Sequence, residues 1–94
     1  VTWEPCTGQS GDGTPVYGEP LELSCFMEGQ RRMVRNERGQ EVVSDWTLYF
    51  PGSVAVAMTT KDRLTLPDGR RPPIISVSPR YDEKGNVDHV EVNL

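Results

Sequence analysis

Turn chemistry interrupts this chain more insistently than any other signal. TGQSGDGTP, NERG, FPGS, PDGR and DEKGN each set glycine or proline among small polar residues. Glycine admits positive φ and proline fixes φ while removing a donor, so each cluster reverses or ends an extended run. Nine glycines and eight prolines in 94 residues leave no window with a sustained helical period. Short strands are what remains.

The segments between the turns carry the strand period. In PLELSCFMEG, Leu21, Leu23, Cys25 and Met27 share one face, and Glu22, Ser24, Phe26 and Glu28 the other. That is the pattern of a half-buried strand. Phe26 breaks the polar side, which predicts that a neighbouring subunit covers it. RRMVRNERGQEVVSDWTLYF reads as a hairpin, with Gly39 in the left-handed position of the turn. On its second arm, residues 41–50, Val42, Ser44, Trp46, Leu48 and Phe50 have one parity, and Val43, Asp45, Thr47 and Tyr49 the other. PDGR turns the chain into PPIISVSPRYD, whose prolines at 72, 73 and 79 place it at an edge or a bulge. At the end, Val90, Val92 and Leu94 alternate with His89, Glu91 and Asn93. The apolar run at residues 54–58 is far too short to cross a bilayer. The expectation is an all-β domain over residues 1–94, a small antiparallel β-barrel or two-sheet sandwich of about six or seven short strands. It carries a flexible N-terminal loop at about residues 7–15, ordered against a partner, and a projecting hairpin at about residues 30–43.

The net charge of −4 argues against a protein whose main task is to grip nucleic acid, because phosphate binding rests on a basic surface. Yet Arg31, Arg32, Arg35 and Arg38 gather on one hairpin. Two readings stand side by side. The arginines pair with Glu28, Glu37 and Glu41, contributing little at a solvated surface, or the tip projects toward something anionic.

Reactive chemistry is sparse. GQSGDG lacks the lysine and following helix of a phosphate-binding loop. Ser44, His89 and Asp45 can be grouped as a triad only on paper, with no nucleophile elbow. Asp62, Asp68, Asp82, Glu83 and Asp88 read as solvated turn carboxylates rather than a metal cluster. His89 reads as a surface or interface residue, and Trp3 and Trp46 as core or subunit contacts. One histidine and no CxxC leave no zinc site. Cys6 and Cys25 are read as reduced thiols, with a disulfide as the alternative. No signal peptide is seen at the start, so synthesis in the cytoplasm is expected. No catalytic residue, metal or cofactor is expected.

The order of motifs carries one further signal. GDGTPVYGEP, a glycine-rich loop closed by an aromatic, is followed by LSCFMEG, then RRMVRNERGQEVVSDWTLYFPG, then DRLTLPDGRRPPIISVSP, then HVEVNL. In this order and spacing the chain resembles, over almost its whole length, the head-to-tail stopper (head-closure, head-completion) proteins of long-tailed phages. The resemblance implies a non-enzymatic virion protein of the phage neck. It would form a small β-barrel in a homo-oligomeric ring, usually of twelve copies, beneath the portal-bound adaptor protein. That ring retains packaged double-stranded DNA and then accepts the tail terminator and tail tube, with no membrane contact. It also implies that residues 30–43, with Arg31, Arg32, Arg35, Glu37 and Arg38, lie toward the axial channel as a gate. Only the location carries over, not individual roles. For docking on the ring or adaptor, the expected residues are Asp12, Tyr17 and Phe26. The alternatives are a tail terminator or other neck-completion protein, or a generic small-barrel module binding a peptide or nucleic acid.

Overall fold

The computed structural model describes residues 1–52 and 57–94. The reading of residues 54–58 as an apolar run therefore falls mostly outside the described residues, although Met58 is buried. The described residues are all-β and contain no helix. Their eleven short strands are β1 (Thr2–Glu4), β2 (Cys6–Gln9), β3 (Pro15–Tyr17), β4 (Leu21–Glu22), β5 (Phe26–Glu28), β6 (Arg32–Arg35), β7 (Glu41–Ser44), β8 (Thr47–Pro51), β9 (Arg63–Thr65), β10 (Ser76–Tyr81) and β11 (Val87–Asn93).

These strands form two body sheets, in the orders β4-β1-β9 and β10-β11-β8-β5, and two separate two-stranded arms, β2-β3 and β6-β7. Every pairing is antiparallel. Neither body sheet closes on itself, so of the two expected architectures the barrel is not formed. The core draws Trp3 and Leu64 from the smaller sheet and Leu48, Phe50, Val90 and Val92 from the larger, with Met58, Leu66, Ile74 and Leu94 around them. Cross-strand pairs Leu48↔Val92 and Phe50↔Val90 are fully buried, and such pairs are the unit of sheet stabilisation.

The strand count exceeds six or seven because two long sequence runs each serve two sheets and because the segment around the expected N-terminal loop pairs as β2 and β3. PLELSCFMEG is split: β4 pairs with β1, and β5 pairs with β8. Between them the Leu23 amide bonds the Val1 carbonyl at 2.8 Å, and the chain crosses from one sheet to the other. The alternation survives from Leu23 onward, since Leu23, Cys25 and Met27 pack against the core while Phe26 remains 66% exposed, but Leu21, expected on the same face, is 48% exposed. Likewise the run at 41–50 breaks at Asp45–Trp46, where both amides donate to the Leu94 carbonyl. The expected PDGR hairpin is a turn without a ladder, because β9 pairs with β1 and β10 with β11. Prolines at 72 and 73 lie between them and withhold donors. As expected from its prolines, β10 is an edge strand, and its register shifts between Arg80 and Tyr81. Residues 7–15 form an arm rather than an irregular loop, with Gly8↔Val16 and Gln9↔Pro15 in register.

One turn recurs four times. In residues 10–14, 36–40, 66–70 and 82–86 the first amide donates to the fifth carbonyl and the fourth amide to the first carbonyl. The fourth residue is always glycine, with φ between 77° and 89°. This is a tight turn closed by a glycine bulge, whose left-handed residue matches the twist of the flanking strands. An Asx side chain supports each: Asp12, Asn36, Asp68 and Asp82 accept backbone amides within their own turns.

Candidate functional site

The β6–β7 arm is built on the Asn36 turn and registers Met33↔Val43 and Val34↔Val42. Met33 and Val43 face outward, 59% and 49% exposed, and Val34 and Val42 are half-buried. Its four arginines have different fates. Arg31 pairs with Asp45 at 3.1 Å. Arg32 reaches over the end of the larger sheet, donating to Thr47 Oγ1 at 2.6 Å and Asn93 Oδ1 at 3.5 Å. Arg35 donates to the Gly39 carbonyl at 2.8 Å and lies 3.7 Å from Glu41. Only the Arg38 side chain has no partner among the described residues. Glu37 is not paired with an arginine either; it accepts from Thr60 Oγ1 at 3.0 Å and ties the tip to the body.

These contacts revise the electrostatic reading. Of the carboxylates expected to pair with the arginines, only Glu41 does so, and Asp45 takes a place assigned to none. Within residues 30–45 four arginines face three carboxylates, Glu37, Glu41 and Asp45. The arm is thus close to neutral as a whole, with one unengaged cation at its tip. Arg32 is an anchor: Thr47 and Asn93 are buried polar residues, bonded to each other at 3.0 Å.

The three expected docking residues are not brought together. Asp12 caps its own turn, accepting from the Ser10 hydroxyl and from the Thr14 amide at 3.0 Å. These bonds, the Ser10 one foremost, hold its carboxyl down to about 2. Tyr17 lies under the Arg63 guanidinium, 4.3 Å from ring centroid to carbon, and Arg63 grips Glu4 through two bonds of 3.0 and 2.7 Å. Both residues are thereby committed within the chain. Phe26 alone is free. It heads a row across three strands, 6.0 Å from Tyr49, which lies 6.2 Å from His89. A shallow, largely apolar depression of about 500 Å³ runs beside this row. His89 is held by Asp88 at 2.8 Å and Glu91 at 3.3 Å, and these hydrogen bonds, Asp88 first, raise its pKa above the ordinary value.

The paper triad falls apart. Ser44 is fully buried and its hydroxyl is spent on the Trp46 and Leu94 carbonyls, at the opposite end of β11 from His89. Among the described residues no group of three or more His, Cys, Asp or Glu gathers as metal ligands would. Cys6 and Cys25 are separate, half-buried thiols; burial pushes the Cys25 thiol up.

Asp62 corrects the reading of solvated turn carboxylates. It is buried and accepts four hydrogen bonds: Trp3 Nε1 at 2.8 Å, the Cys6 amide at 2.8 Å, and the Thr59 amide and hydroxyl at 2.9 and 3.0 Å. Burial pushes its carboxyl up, yet the four bonds outweigh it and leave the pKa below the ordinary value. The available sequence signal was Thr59-x-x-Asp62, the spacing at which Ser/Thr and acidic side chains satisfy local backbone donors, here without a helix. Comparison of the chain with protein-family models, curated proteins and solved structures gave no match.

Proposed function

We propose that this chain is a non-enzymatic structural subunit of a tailed-phage neck. In this reading it is a head-to-tail stopper, assembled in a ring under the portal-bound adaptor, that retains packaged double-stranded DNA and offers a surface to the tail. The motif order is the source of the proposal. The observation that carries it is the independence of the β6–β7 arm. The segment that the resemblance puts toward the axial channel is a two-stranded sheet of its own, hydrogen-bonded in register to neither body sheet. The arm is fastened at its root by Arg32, and its tip is held to the body by the exposed Thr60–Glu37 hydrogen bond, so a plug that withdraws as one piece must break that bond at the tip. Its near-neutral charge makes obstruction, rather than electrostatic grip, its principal means of retention, with Arg38 as the residue offered to DNA. The Phe26–Tyr49–His89 row is the surface offered to the adaptor, because exposed aromatics beside polar groups are favoured at interfaces.

The test uses DNA-filled heads that carry portal and adaptor but lack this protein. Adding the protein should block nuclease access, and shortening the arm by removing residues 34–42 should restore access while leaving vertex binding intact. Binding without protection would make the chain a spacer or tail-docking ring. Failure to bind would end the neck reading in favour of a generic binding module.

A further inference from the structure

The ends of the larger sheet differ in chemistry. At the end where β10 passes into β11, Tyr81 stands beyond the register shift, 64% exposed, and is followed by Asp82 and Glu83. Asp82 uses Oδ1 to cap the turn at the Lys84 and Asn86 amides; its other oxygen, the Glu83 carboxylate and the Tyr81 hydroxyl have no partner among the described residues. Arg80 is folded back onto Glu91 at 3.3 Å, which leaves Lys84 as the one cation beside the two carboxylates. The result is a knob made of one aromatic ring and two acids, with one lysine next to them.

At the other end of β11, roughly 20 Å away by strand rise, lies a cleft of about 340 Å³ lined by Trp46, Leu66, Pro72, Leu94, Arg70 and Arg71. Asp45 also lines it, but Arg31 occupies that carboxylate. The walls are apolar and the rim carries two arginines. The Arg70 guanidinium sits 5.7 Å from the Trp46 ring and pairs with Asp68 at an exposed site. Arg71 donates to Thr65 Oγ1 at 3.1 Å. Exposed pairs of this kind exchange partners at little cost. Gly29 fixes the cleft's aromatic wall, because a Cβ there would come within 2.9 Å of the Trp46 ring.

We infer that the Tyr81–Asp82–Glu83 knob of one copy of this chain docks in the Trp46–Arg70–Arg71 cleft of the next. The tyrosine ring meets the apolar walls and Trp46, and the carboxylates meet the two arginines. Charge complementarity selects this occupant: the knob carries two carboxylates against one lysine, the cleft rim carries Arg70 and Arg71, and the two lie at opposite ends of β11. A contact between unlike surfaces is heterologous, so it repeats from copy to copy and gives a closed ring or an open filament. The inference rests on the reading of the chain as a ring subunit and names the contact that would build the ring. One knob buries little area, so a single contact is weak and shows only at high concentration or on a template.

The test needs no phage component. Sedimentation and amide NMR spectra of the intact chain, followed up to its solubility limit, should show concentration-dependent association, with the Trp46 indole and Tyr81 signals moving together. R70E/R71E keeps the knob and loses the cleft rim; Y81A/E83A keeps the cleft and loses the knob without offering a new cation to the altered rim, and it spares the turn cap at Asp82. Each variant alone should associate at least about tenfold more weakly than the parent. Mixed together, they should form a one-to-one heterodimer and nothing larger. Self-association by either variant at the parental strength, or no association by the parent at any concentration, overturns the contact. Circular dichroism of each variant checks that both remain folded. If the heterodimer forms while the head assay fails, the neck reading falls and the contact stands; the reverse result removes the contact alone.

Discussion

Replacing Asp62 by asparagine changes few atoms and tests the polar hub most directly. The carboxylate divides four donors between two oxygens: Oδ1 takes the Cys6 amide and the Thr59 hydroxyl, and Oδ2 takes Trp3 Nε1 and the Thr59 amide. An asparagine has one acceptor oxygen. Its best orientation leaves that oxygen on the Oδ2 side, where both donors are N–H groups that have no other role. The amide then faces the Thr59 hydroxyl, which rotates to accept, and the Cys6 amide, which loses its partner. One part-buried donor left unsatisfied costs about 1–3 kcal/mol. Against a total stability of roughly 5–14 kcal/mol for a chain of this length, a loss of about 2 kcal/mol lowers the melting temperature by about 8–16 °C. Because the folded carboxyl has a lowered pKa, its contribution is present above the unfolded value of about 3.9 and is lost as pH falls through the folded value. D62N should therefore also remove part of the acid limb of the stability curve. The assay is thermal unfolding by circular dichroism at pH 7 and at steps down to pH 2. If D62N melts within about 2 °C of the parent at neutral pH and follows the same acid limb, the hub reasoning is wrong.

Gly29→Ala should cost about 1–3 kcal/mol through the clash with Trp46, measured by urea unfolding. Gly11→Ala, where a Cβ meets nothing within 4 Å, should be close to neutral in the same assay. Arg32→Ala should lose about 1 kcal/mol for its bond to buried Thr47, whereas Arg38→Ala should leave the unfolding midpoint unchanged; equal effects would refute the division into anchor and free tip. His89 should titrate by NMR above its unperturbed value of about 6.5, and Asp88→Asn should lower it. With its folded pKa raised, this histidine's stabilisation is present below the unfolded value and fades as pH rises through the folded one. Phe26→Asp should weaken head attachment without lowering the melting temperature, since the ring is exposed; a large loss of stability would place Phe26 in the core instead.

What could be read from the residues was local. Glycine placed the four recurring bulged turns, because left-handed φ is a property of single residues. Alternation put Leu48, Phe50, Val90 and Val92 inward, because side chains on a strand alternate whatever the strand pairs with. It also put Phe26 outward, and prolines put β10 at an edge. Of the candidate site, the hairpin at residues 30–43 and its turn were legible, and the charge balance of the arm was not. Which carboxylate meets which arginine depends on where Asp45 and Thr60 arrive from other parts of the chain. Only the tertiary structure decided that two continuous-looking runs change sheets, since a strand's partner is set by long-range packing and not by its own period. It alone turned Asp62 from a turn carboxylate into a buried acceptor of four bonds, with Trp3 arriving from 59 residues away in sequence. It also placed an acidic aromatic knob and an arginine-rimmed cleft at opposite ends of one sheet, a relation that no local pattern encodes.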